Sequence, residues 1–162
     1  MIRITDKPKC CGCSACSSVC PKKCVFLVPD QLGFLYPTFD EKECIDCHCC
    51  ENVCPIINTH VINDEIHCVY GAVNNSLEIR SSSSSGGVFT VIADYVLKEG
   101  GIVFGAEMTD GFHKLRHTST DSIEKIGVYR SSKYLQSDLG QSFIEIKEYL
   151  QKGKKVLFSG TP

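Results

Sequence analysis

Eight of the twelve cysteines fall into two copies of one spacing, CxxCxxCxxxCP. The first copy is Cys10, Cys13, Cys16 and Cys20, followed by Pro21; the second is Cys44, Cys47, Cys50 and Cys54, followed by Pro55. Equivalent cysteines are offset by a uniform 34 positions, and chance does not produce that twice. Thiolates at i, i+3 and i+6 let a short loop wrap three corners of an iron–sulfur cubane. The fourth cysteine points away and binds the other cluster. The spacing therefore assigns Cys10, Cys13, Cys16 and Cys54 to one 4Fe-4S cluster and Cys44, Cys47, Cys50 and Cys20 to a second.

This stretch resembles the two-cluster bacterial ferredoxins. Zinc sites and disulfide frameworks also use dense cysteines, but zinc sites usually pair two CxxC units and do not require a triple followed by a fourth cysteine and proline. The opening MIRITDKP lacks the apolar core of a secretory signal, and the expected compartment is a reducing cytoplasm. Cys11, Cys24, Cys49 and Cys68 lie outside the ligand register and read as packed or half-exposed thiols. His48 beside Cys47 reads as a surface residue or a hydrogen-bond donor near sulfide.

These loops need elements to hold them. Ile2 and Ile4 alternate with polar residues, which suits a short strand before the first loop. Residues 25–39 (VFLVPDQLGFLYPTF) have the composition of a hairpin turning near Asp30. A segment this small buries too little surface to be very stable alone, so bound clusters are expected to supply much of its folding energy. The chain has 162 residues, 43% of them hydrophobic, and a formal net charge of −2. With a pI near 6.2, bulk electrostatics attract neither nucleic acid nor an anionic bilayer. No segment of about 18 apolar residues is present to span a membrane.

Residues 56–67 read as a connector, and a second domain then opens. Residues 68–73 (CVYGAV) suit a buried strand, and residues 88–96 have the apolar spacing of an amphipathic helix closed by Gly100 and Gly101. Residues 102–106 (IVFGA) suit another strand, so the order resembles a βαβ unit. Residues 112–118 suit an edge strand, 121–126 a short helix, 127–137 a binding loop, 139–152 a longer helix and 156–158 a buried strand. The expected fold is a ferredoxin-like α+β two-cluster domain over residues 1–58, a linker over 59–67 and an α/β domain over 68–162.

Residues 81–87 (SSSSSGG) have the composition of a flexible linker, but their place before a helix offers backbone N–H groups, hydroxyls and the positive end of the helix dipole. That suits a phosphate or a flavin. No GxGxxG fingerprint or Walker lysine accompanies it, which argues against a nicotinamide-type Rossmann site. Lys133 and residues 159–161 are further candidates, because ligands in α/β sheets collect at the carboxyl ends of strands. His113, His117 and Tyr134 are eligible proton donors.

The segments RSSSSSGGVFTVIADYVLKEGGIVFGA, SSKYLQSDLGQ and KKVLFSGTP resemble the N-terminal part of the coenzyme F-420 hydrogenase/dehydrogenase beta-subunit family. The resemblance implies a flavin, usually FAD, held by the α/β domain and connected electronically to the clusters. Carried over to this sequence, the flavin site comprises Arg80, Ser84, Ser85, Gly86, Gly87, Lys133 and Thr161. The function implied is an iron–sulfur flavoprotein oxidoreductase, or its electron-transfer subunit. Its partners would be a redox protein or ferredoxin-like donor, with a deazaflavin among the candidate small molecules. The alternative is a ferredoxin-type carrier with a docking domain and no flavin. Members of the family continue beyond GTP, whereas this sequence ends at Pro162; the expectation is a truncated product with an incomplete α/β domain.

Overall fold

A computed structural model of the chain describes residues 2–4, 6–58, 68–111 and 113–160. The chain divides into two units, Met1–Glu65 and Ile66–Pro162, and each mixes short helices with a small sheet. The expected linker at 59–67 lies outside the described residues, as do Phe112 and Thr161.

In the first unit a 3-10 turn, Lys7–Lys9, leads into the first cysteine loop and helix α1, Ala15–Val19. Strands β1, Val25–Pro29, and β2, Leu35–Phe39, pair antiparallel from Val25 opposite Phe39 to Pro29 opposite Leu35. The turn forms because the Asp30 carboxylate accepts the N–H groups of Leu32 and Phe34, while Gly33 takes a left-handed φ of 87°. The second cysteine loop ends in helix α2, Cys49–Asn52. The expected strand near the N-terminus is absent over residues 2–4, and Thr5 lies outside the described residues. Ile2 instead drops into the core, where it is 2% exposed. That core holds Ile2, Cys16, Cys24, Val25 and Cys54, so three of its five buried residues are cysteines.

The second unit is built on a three-stranded sheet in the order β4-β3-β5. Strand β3, Ile102–Thr109, pairs antiparallel with β4, Lys114–Thr120, and parallel with β5, Val156–Phe158. Helix α3, Leu77–Ser81, precedes the serine run, and helix α4, Val88–Lys98, follows it. Ala93, Phe89, Val96 and Leu97 of α4 pack with Val103, Leu157, Ile126 and Tyr129. The last two belong to a 3-10 helix, Ile123–Tyr129. Helix α5, Ser142–Gln151, brings Tyr149 edge-on to Phe104 at 6.2 Å and Phe143 to Phe158 at 5.9 Å. Since Val103 and Phe104 are successive strand residues, α4 and α5 cover opposite faces of the sheet.

The strand expected at 68–73 does not form. Both hydrogen-bonding edges of β3 are taken by β4 and β5, and Val69 and Tyr70 are more than 80% exposed. The parallel pair is β3 with β5, so the βαβ expectation fails for α4, and α5 lies in the connection between the parallel strands. Among the described residues, no helix is long and apolar enough to cross a membrane.

Candidate metal centre and cofactor cavity

The cysteine repeat is also a repeat of backbone shape. Gly12 and Asp46 have φ of 62° and 53°, and Ser14 and His48, also 34 positions apart, have φ of 59° and 57°. A left-handed residue on each side of the second cysteine folds the loop into a concave turn. Successive N–H groups in such a turn suit an anion. Three of the four residues carry a Cβ, at a cost of about 1 kcal/mol each, so the loop form is maintained by its surroundings.

Each loop forms one side of a pocket. Cys10, Cys13 and Cys16 line one together with Cys54, and Cys44, Cys47 and Cys50 line the other together with Cys20. The two are alike in size. Their walls differ. Ile2, Ile4, Leu27, Pro37 and Ile56 surround the first, whereas Lys22, Asp46 and His48 line the second. Among the described residues, no group of three His, Cys, Asp or Glu side chains is close enough to hold a single metal ion. A cubane asks for a wider arrangement, because each thiolate binds its own iron corner. Four thiols around a pocket in each unit of the repeat are a donor set that fits two such groups.

The surplus thiols are placed unequally. Cys24 is buried with its Sγ 3.5 Å from that of Cys20, and it also lines the Cys44 pocket. Burial, reinforced by the Cys20 thiol, pushes Cys24 up to about 11. Burial likewise raises Cys16 to about 11, with the nearby Cys13 charge adding to it. For Cys20 burial acts upward, but the backbone N–H of Cys24, the Cys24 thiol and the N–H groups of Lys22 and Val25 outweigh it, so its pKa is lowered. Cys49 lines the same pocket, and Cys68 is exposed.

In the second unit, the serine run and the loop after the 3-10 helix face each other across a cleft of about 330 Å³. Residues 83–89 line one side, and Tyr129, Arg130, Ser131, Ser132 and Ser159 contribute the other. The two sides are joined directly. Arg130 donates from Nε to Thr90 Oγ1 and from Nη1 to Ser82 Oγ, both at 3.1 Å, and the Ser132 N–H donates to Ser84 Oγ at 2.7 Å. Gly87 caps α4 at φ 73°, and Gly86 is held against residues 72–74 by a bond from the Asn74 N–H to its carbonyl at 2.6 Å.

Of the residues expected at a flavin site, the cleft brings together Ser84, Ser85, Gly86 and Gly87. Arg80 lies on α3 outside the cleft lining. Lys133 is also outside it, its ammonium donating to the carbonyls of Arg130 at 2.8 Å and Ser131 at 3.3 Å. Burial lowers the Lys133 pKa, partly offset by the charge of Glu107. Thr161 lies outside the described residues, while its neighbour Ser159 reaches the cleft. Sequence reasoning missed Arg130, the cation in the wall. The available signal was an arginine followed by two serines in a segment already marked as a binding loop.

The eligible proton donors are scattered. Tyr134 is 94% exposed and His113 is exposed in the turn before β4. His117 is engaged at both ring nitrogens, with Ser137 Oγ at 2.8 Å and the Ser159 carbonyl at 3.0 Å, and it stacks on Phe158. No family model matches the chain, and no curated protein matches it.

Proposed function

We propose that this chain is an iron–sulfur flavoprotein oxidoreductase, or the electron-transfer subunit of one, with a ferredoxin-like first unit carrying two 4Fe-4S clusters. The observation that carries the reading is the crossed membership of the two thiol pockets: each holds the first three motif cysteines of one loop and the last motif cysteine of the other, with Cys11 beside the first set and Cys24 and Cys49 beside the second. A tuned single-ion site would not need that exchange.

In the second unit, the cleft supports a phosphate-bearing cofactor, and FAD is the member of that class proposed here. Arg130 supplies positive charge, and its two bonds to Thr90 and Ser82 fix the plane of the guanidinium. Ser84, Ser85, Gly86 and Gly87 bring hydroxyls and backbone close to the start of α4. A cleft of about 330 Å³ is at the lower end of the size range of cofactor sites. Clusters pass single electrons and a flavin exchanges them singly or in pairs, so together they would link a ferredoxin-like donor to a two-electron acceptor such as a deazaflavin. The chain's own part is to bind, orient and shield these groups.

The test is anaerobic reconstitution of the full chain with iron and sulfide, followed by iron analysis and flavin extraction after incubation with FAD. About eight irons and one FAD per chain is the expected result. About eight irons without flavin would replace this reading with that of a ferredoxin-type carrier. A colourless, zinc-loaded protein would overturn both.

A further inference from the structure

Behind the cleft wall, three polar side chains form a directed chain. Thr118 on β4 donates from Oγ1 to Glu107 Oε2 at 2.8 Å, and Tyr129 OH lies 3.0 Å from the same Oγ1. A hydroxyl has one proton. With Thr118 giving its proton to Glu107, the bond between Tyr129 and Thr118 must be donated by the phenol. The sequence of donation is therefore Tyr129 to Thr118 to Glu107.

Its two ends differ in environment. Tyr129 is 9% exposed and lines the cleft, whereas Glu107 is half-buried towards the end of β3. The arrangement depends on Gly105. Thr118 is its partner across the strands, and a Cβ at Gly105 would meet the Tyr129 ring carbons at 2.5–2.9 Å. Arg116 is paired across from Glu107, and Lys133 is electrostatically linked to it.

We propose that Tyr129, Thr118 and Glu107 are a proton exit from the cleft, used when its occupant gives up electrons to a one-electron acceptor. Tyr129 accepts a proton from the occupant while passing its own to Thr118, and Thr118 passes its own to Glu107. Glu107 becomes a carboxylic acid and then releases a proton to water. One proton leaves the occupant and one reaches solvent, while the electrons depart separately to the acceptor. This inference rests on the flavin reading of the cleft.

The full chain, loaded with FAD and chemically reduced, is reoxidised with ferricyanide in weak buffer containing a pH indicator. T118V and E107Q are expected to slow proton release by about 100-fold with FAD affinity retained, and T118S to restore the rate. Release from T118V as fast as from the original chain overturns the proposal. If FAD does not bind, the flavin reading fails on its own. The ultraviolet titration of Tyr129 in the flavin-free chain, isolated by difference from Y129F, then decides. E107Q, which removes the negative charge near the phenol, should lower its midpoint, and T118V should shift it; an unmoved midpoint in both overturns the chain.

Discussion

A Cβ on Gly86 would stand 2.5 Å from the backbone carbonyl of Ala72, so the serine run and the segment before α3 approach each other at a distance only glycine permits. A backbone oxygen cannot swing aside as a side chain can. Gly86→Ala is predicted to destabilise the second unit by about 1–3 kcal/mol and to weaken FAD binding at least tenfold. Thermal unfolding and fluorescence titration measure the two effects. Unchanged affinity would separate this contact from the cleft.

Arg130 gives a more selective test. If its guanidinium anchors phosphate, Arg130→Lys should weaken FAD by about 10-fold or more while leaving riboflavin, which has no phosphate, within about twofold. Equal losses for both ligands would mean that Arg130 supports the wall through Thr90 and Ser82 and does not select the anion.

The crossed pockets predict which cluster each distant cysteine serves. Cys54→Ser should perturb the resonance of the cluster assigned to Cys10, Cys13 and Cys16, and leave the other intact. Because the Cys24 thiol stands beside Cys20, the reciprocal test is Cys20→Ser combined with Cys24→Ser. Electron paramagnetic resonance of partly reduced samples distinguishes the two clusters. Damage confined to the mutated residue's own loop would sink the assignment.

Removal of iron should unfold one unit and spare the other. The first core has five buried residues, three of them cysteines, and it surrounds thiols that repel one another when ionised. The second has a continuous core of Ala93, Val103, Ile126 and Tyr129. After anaerobic chelation, hydrogen exchange is expected to lose protection in β1 and β2 while β3 and α4 remain protected. Retained protection in the β1–β2 hairpin would show that this unit folds without metal.

Cys24 and Cys68 should differ sharply towards iodoacetamide. Cys68 is exposed, while Cys24 is buried and raised to about 11. A buried thiol stays protonated and is hard to reach, so it reacts slowly. Peptide mapping of the loaded protein should find Cys68 modified first; equal labelling of the two would show that Cys24 is accessible.

The legible features were those with local causes. Asp30 and Gly33 marked the hairpin because a carboxylate bonding two N–H groups and a left-handed glycine are confined to a few residues. Val88 to Lys98 was readable from its apolar period and the glycines after it. The failure at residues 68–73 has a non-local cause: the run joins no strand of the sheet, and the chain just after it is held instead by the Asn74 N–H on the Gly86 carbonyl, twelve positions later. Arg130 escaped for a similar reason. Its partners Ser82 and Thr90 lie 48 and 40 positions earlier, and no local pattern expresses that meeting.

The two cysteine loops share a backbone path, and each pocket borrows its last motif cysteine from the other loop. Collapse of either loop would therefore open both pockets at once. With clusters in both, their assembly would be cooperative, and a chain holding one cluster would be an unstable stopping point on the way to two.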